Sequence, residues 1–309
     1  MPSIVTLTFS PSIDKSTSVD KLLPEKKLRC ATPKLDPGGG GVNVARAIHK
    51  LGGEALAVFP SGGYTGKHFN VLLQEENIPC HVVESKNETR ENIIVVDESS
   101  GKQYRFGMPG TELRASEWQE CLDAIEKRED LEFIVASGSL PPGVPLDIYA
   151  KLAVIAKTKN AKLVVDTSGE ALRHAASEGV YLLKPNLGEL ASLMGLERVE
   201  EKELESVGRR FINSGHCEIL VVSLGAAGAI LISADSVHRA VPPKVEAKSV
   251  VGAGDSMVAG MVLALSRRMD LKDVLEFGVA CGTAATINPG TDLCDPNDVQ
   301  MLLKKMRHA

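Results

Sequence analysis

Phe133-Ile-Val-Ala-Ser137 and Leu163-Val-Val-Asp166 decide the fold class. Both are short apolar runs rich in β-branched residues and bounded by polar residues or glycine, the pattern of strands buried on both faces. Between them, residues 146–158 repeat apolar side chains at helical spacing. The same alternation continues outward in both directions. Residues 4–9, 180–184 and 219–223 read as further strands, and residues 42–51, 117–127 and 203–213 as further helices. Strands alternating with helices predict an α/β fold, a doubly wound, mainly parallel sheet flanked by helices. After residue 228 the pattern changes to a hairpin over 229–233 and 237–241, then two helices rich in small residues, 255–267 and 272–286.

Two stretches do not fit this alternation. Residues 15–36 and 89–106 are polar and lack a helical pattern. Within the second, Asn92-Ile-Ile-Val-Val-Asp97 and Gln103-Tyr-Arg-Phe106 flank a Ser-Ser-Gly turn. Both stretches are expected to leave the main sheet and pair into a small second sheet, serving as a lid over a site or as a surface buried against another subunit. The expectation is one domain over residues 1–309, with lid segments at about 12–36 and 88–107 inserted in it.

Composition removes several functions. A net charge of −5 argues against a general nucleic-acid binder. No apolar run approaches the ~20 residues of a membrane helix, and the first residues lack the basic start and apolar core of a secretory signal. The six cysteines (Cys30, Cys80, Cys121, Cys217, Cys281 and Cys294) include no Cys-x-x-Cys pair, which suits a reducing cytoplasm better than a disulfide framework or a zinc site.

The sharpest chemical signal is Val251-Gly-Ala-Gly-Asp-Ser256, which opens a helix. Gly252 and Gly254 let the backbone turn tightly and bring the N–H groups of Gly252, Ala253, Gly254 and Asp255 close to a ligand. A helix start adds unpaired donors and the positive end of the dipole, which together attract an anion. A carboxylate planted there repels that anion unless it has work to do. Proton abstraction from a hydroxyl attacking a phosphoryl group is such work. The competing reading is that Asp255 only caps its helix.

A second glycine cluster, Pro37-Gly-Gly-Gly-Gly-Val-Asn43, precedes another helix. Glycines such as Gly39 and Gly40 clear side chains from one wall of a pocket, and Asn43 offers a donor and an acceptor that suit sugar hydroxyls. The alternative is a flexible connection. A third cluster, Lys184-Pro-Asn-Leu-Gly-Glu189, follows a strand, where ligands of doubly wound sheets bind. Lys184 and Asn186 are placed for an anionic ligand, and Glu189 for a magnesium ion through water. Ser223, Gly225 and Gly228 repeat the theme of strand end then glycine. Lys27, Arg29, Arg90 and Arg105 fall in the lid segments, which favours a substrate already bearing a phosphate.

Together these motifs resemble the ribokinase-like (PfkB-type) carbohydrate kinases, over nearly the whole chain from Asp14 to Asn288-Pro-Gly290, with the finer match to the 6-phosphofructokinase branch of that family. The stretches carrying the finer match are Leu28-Arg-Cys30, residues 38–46, residues 103–106 and Gly138-Ser-Leu-Pro-Pro-Gly143. The resemblance implies phosphoryl transfer from ATP to fructose 6-phosphate with Asp255 as base. The alternatives are a 1-phosphofructokinase, a tagatose-6-phosphate kinase or, in another class, a non-catalytic sugar-phosphate sensor. It implies sugar-phosphate contacts at Asp14, Lys27, Gly39, Asn43, Arg90, Arg105 and Ser139, with Lys27 supplied across a homodimer formed through the lids. Nucleotide contacts are implied at Lys184, Asn186, Ser223, Gly225, Gly228 and Gly254, with Cys281 and Thr283 near the adenine. Mg2+ is implied near Glu189, and K+ near Ser249, Val251, Ala285, Asn288 and Gly290. Two positions depart from the family pattern: Val250, where relatives commonly have Thr, and Asp292, where the branch carries Arg.

Overall fold

A computed structural model describes residues 3–308. Among these, nine strands form the main sheet: β1 (Ile4–Leu7), β4 (Leu56–Ser61), β5 (Cys80–Glu84), β8 (Phe133–Ser137), β9 (Lys162–Asp166), β10 (Val180–Leu183), β11 (Cys217–Ser223), β12 (Ala229–Ser233) and β13 (Val237–Ala240), numbered in chain order. The spatial order is β13-β12-β11-β10-β9-β8-β1-β4-β5. All neighbours are parallel except β11–β12 and β12–β13, which form the antiparallel edge.

The apolar runs are continuous because both faces of the sheet are covered. Successive residues of a strand point to opposite faces. In β8, Phe133 and Val135 face one core, and Ile134 and Ala136 the other, all fully buried. The first core is closed by α1 (Gly40–Lys50), α2 (Gly63–Glu75), α8 (Ala253–Ser266), α9 (Leu271–Thr286) and α10 (Pro296–Arg307). The second is closed by α3 (Ala115–Glu126), α4 (Ile148–Thr158), α5 (Gly169–Glu178), α6 (Leu187–Leu193) and α7 (Leu204–Asn213). Helix α8 is buried over every residue from Ser256 to Leu265. Its small residues permit this: a Cβ on Gly260 would lie 2.7 Å from Cys281 Sγ of α9.

The two irregular stretches do form a second sheet. Strands β2 (Ser12–Val19), β3 (Lys34–Gly38), β6 (Arg90–Asp97) and β7 (Lys102–Phe106) lie in the order β3-β2-β6-β7. β2 and β6 run parallel, and the outer pairs are antiparallel. Sequence periodicity did not single out β4, β5, α2, α5, α6 or α10. Pro60 interrupts β4, β5 is an edge strand with His81 and Val82 exposed, and α6 is too short for its period to show.

Strands β1, β4 and β5 wind outward one way, and β8 to β11 the other. The chain therefore reverses at the β1–β8 boundary, and the carboxyl ends of these strands open on the crevice where doubly wound sheets bind ligands. Among the described residues, no helix is long and apolar enough to cross a membrane, and all six cysteines are free thiols.

Candidate active site

Helix α8 begins at this crevice. Its N-cap, Gly252, has φ 71°, in the left-handed region, and a Cβ there would lie 2.7 Å from Leu293 Cδ2. The left-handed conformation favours glycine, while the close approach is to the tip of a leucine side chain that could shift. Asp255, in the first turn, does not cap the helix. Its Oδ2 accepts a hydrogen bond from Asn43 Nδ2 at 2.9 Å and its Oδ1 one from Ser137 Oγ at 3.4 Å. Asn43 sits in the first turn of α1 and Ser137 at the end of β8. Three elements distant in sequence thus converge on one carboxylate.

Burial pushes the Asp255 carboxyl up to about 6. The Asn43 hydrogen bond opposes that rise, the charge of Asp166 adds to it, and Lys184 and Ser137 oppose it. Lys184, buried just beyond β10, pairs with Asp166 Oδ1 at 3.1 Å. Burial acts to lower its ammonium, but the carboxylates of Asp166, Asp255 and Glu189 outweigh burial and hold it above its ordinary range. A Cβ on Gly254 would lie 3.7 Å from Lys184 Nζ and 3.9 Å from Asp166 Oδ2, ordinary contact distances, so this turn stands directly beside the ammonium without crowding it. The first N–H groups of α8, which a helix leaves without internal acceptors, belong to this same turn.

The glycine run is packed rather than flexible. A Cβ on Gly38 would collide with the Asp14 carboxylate, one on Gly40 would lie 2.6 Å from the Ser137 carbonyl carbon, and one on Gly41 2.5 Å from Leu7 O. Gly39 has φ 107°. These glycines bring α1 against β1, β8 and the small sheet, and so set Asn43 opposite Asp255.

Asp14 lies buried in β2. Ser12 Oγ and Asn92 Nδ2 each donate to its Oδ1 at 2.8 Å, and burial raises its carboxyl. Arg90 is held by the carbonyls of Met108 (2.8 Å) and Ser10 (3.1 Å), and its buried Nε has no partner among the described residues. Arg105 is exposed on β7, and Lys27 and Arg29 are exposed in the connection between β2 and β3. Ser139 is exposed beyond β8. The structure brings Asp14, Gly39, Asn43 and Ser137 together, whereas Lys27 and Arg29 lie out on the surface of the protomer.

On the nucleotide side, Asn186 and Ser223 form a parallel bridge beyond β10 and β11. Asn186 Oδ1 accepts from the Glu189 amide at 2.9 Å and Glu189 Oε2 from the Asn186 amide at 2.8 Å, a capping box for α6. Asn186 Nδ2 and Glu189 Oε1 remain for ligands, the latter enough for a water-mediated magnesium contact. A cavity of 280 Å3 opens beside them, lined also by Arg173. Gly225 has open space around it, but a Cβ on Gly228 would collide with the Ala240 carbonyl, so that glycine serves the β12–β13 edge. Thr283 Oγ1 donates to Val279 O at 2.8 Å, and Cys281 is fully buried against Gly260. Cys281 thus lies in the α8–α9 packing, and the Thr283 hydroxyl is satisfied within its own helix.

The loop after α9 folds back on residues 248–251. Ser249 Oγ donates to Gly290 O at 2.6 Å, Asn288 N to Ala285 O at 3.3 Å, and the Asn288 side chain clasps the carbonyls of Ala284 and Leu293. Each of these carbonyls keeps a second lone pair, so a cluster of backbone oxygens fits a monovalent cation better than a divalent one. The two departures lie nearby. Val250 is exposed, and Asp292 pairs with Lys34 of β3. A groove of 1450 Å3 lies at the opposite end of the sheet among Glu132, Lys162, Tyr181 and Glu218, and shares no residue with this site.

Sequence reasoning missed Ser137, Asp166, Asn92 and Arg46. Asp166 carried a usable signal, a carboxylate at the end of a predicted buried strand. The others gain meaning only from their neighbours in space.

Comparison with known proteins gives the same picture. Residues 8–298 match the model of the pfkB family carbohydrate kinases. The ATP-dependent 6-phosphofructokinase isozyme 2 of Escherichia coli (strain K12) is 45% identical over 303 residues, covering 98% of each chain. Phosphofructokinase-2 from Escherichia coli in complex with fructose-6-phosphate superposes with a TM-score of 0.94 at 42% identity, covering 99% of this chain and 100% of that one. The same enzyme in complex with potassium gives 0.94 at 43% identity with the same coverage. A carboxylate set among strand ends and a glycine-built helix start, in a fold shared end to end with these proteins, leaves one assignment: the chain belongs to the pfkB family of carbohydrate kinases.

Proposed function

We propose that this protein transfers the γ-phosphoryl group of ATP to the 1-hydroxyl of fructose 6-phosphate. The observation that carries the reading is the convergence of Asn43, Ser137 and Asp255 at the start of α8, beside Lys184. A carboxyl near 6 is deprotonated at neutral pH yet basic enough to take a proton from an attacking hydroxyl. The amides of Gly252 to Asp255 then meet the charge of the transferring group. Lys184 and Asn186 hold the nucleotide phosphates, with Ser223 and Gly225 alongside. Asp14, Gly39, Asn43 and Ser139 hold the sugar.

Arg90 and Arg105 take the 6-phosphate, and the unpartnered Arg90 Nε supports this. Glu189 would hold Mg2+ through water, and the carbonyls around Ser249, Val251, Ala285 and Gly290 would hold K+. Bound Mg2+ neutralises phosphate charge. The acceptor assignment draws on the Escherichia coli relative, which carries the 6-phosphofructokinase name and has been solved with fructose 6-phosphate.

The small sheet acts as a lid and as a dimer surface. Leu23, Ile93, Tyr104 and Phe106 are exposed apolar side chains on it or beside it, and pairing two lids covers them and brings the partner's Lys27 towards the sugar phosphate. Residues 3–308 form one domain carrying this lid, and a cytoplasmic setting, with its ATP and reducing thiols, suits six free cysteines.

The test is an ADP-release assay with MgATP and K+ on fructose 6-phosphate, fructose 1-phosphate, tagatose 6-phosphate and fructose. Preference for fructose 6-phosphate is expected. Preference for another sugar phosphate overturns the substrate, activity on fructose alone overturns the phosphate role of the lid, and no activity on any of the four overturns the kinase reading.

A further inference from the structure

Arg46 lies one turn beyond Asn43 on α1, on the same helix face. It is buried, with 3% of its side chain exposed, and it is absent from the reaction just described. Its fork is fully engaged. Nε donates to Glu76 Oε2 at 2.7 Å and Nη2 to Glu76 Oε1 at 2.5 Å. Nη1 donates to Pro37 O at 2.6 Å and points at Asn43 Oδ1 at 3.4 Å. Nη2 also lies 3.7 Å from Asp36 Oδ1, and Asp36 in turn accepts from Thr291 Oγ1 at 2.6 Å.

The chemistry of the Asn43 amide makes this arrangement consequential. One end of the amide accepts and the other donates. Arg46 can only donate, and an ionised Asp255 can only accept. With both neighbours in place, Asn43 has a single satisfied orientation: oxygen to Arg46, nitrogen to Asp255. The reversed amide would set donor against donor and acceptor against acceptor. Asp255 Oδ2 is thereby held at 2.9 Å, while Oδ1 keeps only the longer contact to Ser137 and is the oxygen left to meet an incoming hydroxyl.

We propose that Arg46 is a positioning residue for phosphoryl transfer, fixing the Asn43 amide and through it the oxygen that Asp255 turns to the acceptor. This rests on the reading of Asp255 as the base. The groups facing Asp255 are Asn43 from α1, Ser137 from β8, Asp166 from β9 and Lys184 beyond β10. Those facing Arg46 are Glu76 beyond α2, Asp36 from β3 and, at longer range, Asp14 from β2. A lysine at position 46 keeps the charge that Glu76 and Asp36 need. It lacks the planar fork that reaches Glu76, Pro37 and Asn43 at once.

The experiment is the pH profile of kcat and KM for Arg46→Lys, alone and in an Asn43→Ala background, with MgATP, K+ and fructose 6-phosphate. A misplaced base is expected to lower kcat about 10- to 100-fold. The acid limb should move to higher pH, because Asp255 loses a donor that favours its charged form. In the Asn43→Ala background the same change should cost almost nothing more, since the residue through which Arg46 acts is gone. An unmoved acid limb, or an equal loss of kcat in both backgrounds, overturns the proposal and leaves Arg46 as a structural ion pair. If Arg46→Lys does not fold, Glu76→Gln loosens the fork and is read by the same criteria. Full activity in Asp255→Asn overturns the base itself. An inactive Asp255→Asn with additive Arg46→Lys overturns only the positioning role.

Discussion

Helices α1 and α8 both start from glycines, and they use them in opposite ways. At the head of α1, side chains are removed so that protein can meet protein: Cβ atoms on Gly38, Gly40 and Gly41 would enter the Asp14 carboxylate, the Ser137 backbone and the Leu7 carbonyl. At the head of α8, Gly252 supplies a left-handed turn, and Gly254 leaves space, with its nearest neighbours at 3.7 Å and 3.9 Å. The first cluster places a residue, Asn43, by close packing. The second leaves the start of a helix uncrowded beside Lys184 and Asp166. Similar strings of letters thus carry one structural and one chemical task, told apart by what surrounds them.

The largest effect should come from the open site. Asp255→Asn is expected to lower kcat by about 10²–10⁴-fold while leaving substrate binding largely intact, read by steady-state kinetics and equilibrium titration. Wild-type kcat should fall as pH drops through about 6. Stability should move the other way. The Asp255 carboxyl is raised from 3.8 to about 6, so the native state holds a proton there that the unfolded chain has released. That contribution is complete below about 4 and is lost as pH rises through about 6. Asp255→Asn should therefore melt higher than wild type at pH 7.5 and lose that advantage near pH 4.

The next effect separates the two glycine clusters. Gly41→Ala should destabilise by about 1–3 kcal/mol, because the methyl group meets a strand backbone that cannot yield. Gly254→Ala should not destabilise and can add about 0.5 kcal/mol as helix propensity, yet weaken MgATP binding about tenfold by filling the space before the amides. Urea denaturation and nucleotide titration of both variants check this. Equal destabilisation of the two would break the contrast. The smallest effect concerns the strand leading into the packed cluster. Lys34 of β3 pairs with Asp292 at the surface, and Lys34→Ala should cost about 0.2–1 kcal/mol, less at high salt.

Much of the candidate site was readable along the chain because its parts are backbone features. Gly252 to Asp255 and Gly38 to Asn43 announce themselves through glycine, which is dense where chains must turn or touch. The elements that bracket them were equally readable, since fully buried strands such as β8 and β9 are uninterrupted apolar runs. Side-chain pairings were not readable. Glu76, Arg46, Asp36 and Thr291 come from four separate stretches of the chain, and nothing local marks any of them as partners. Cys281 and Thr283 show the converse. Placed by likeness near the adenine, Cys281 packs against Gly260 of α8 and Thr283 bonds back to Val279 of its own helix, contacts that no spacing of letters announces.

Local chemistry along the chain was enough to determine that this is a doubly wound α/β protein with an excursion sheet, and that a carboxylate stands in the first turn of a glycine-opened helix. Periodicity and glycine are properties of consecutive residues, so they survive in a one-dimensional reading. Tertiary structure alone decided which oxygen of Asp255 is held closely and which keeps only a longer contact. It also decided that Asn43 has one orientation, and that Asn186 and Glu189 cap their own helix while facing the crevice. Those facts depend on the direction and satisfaction of hydrogen bonds between groups far apart in the chain, which no spacing of letters encodes.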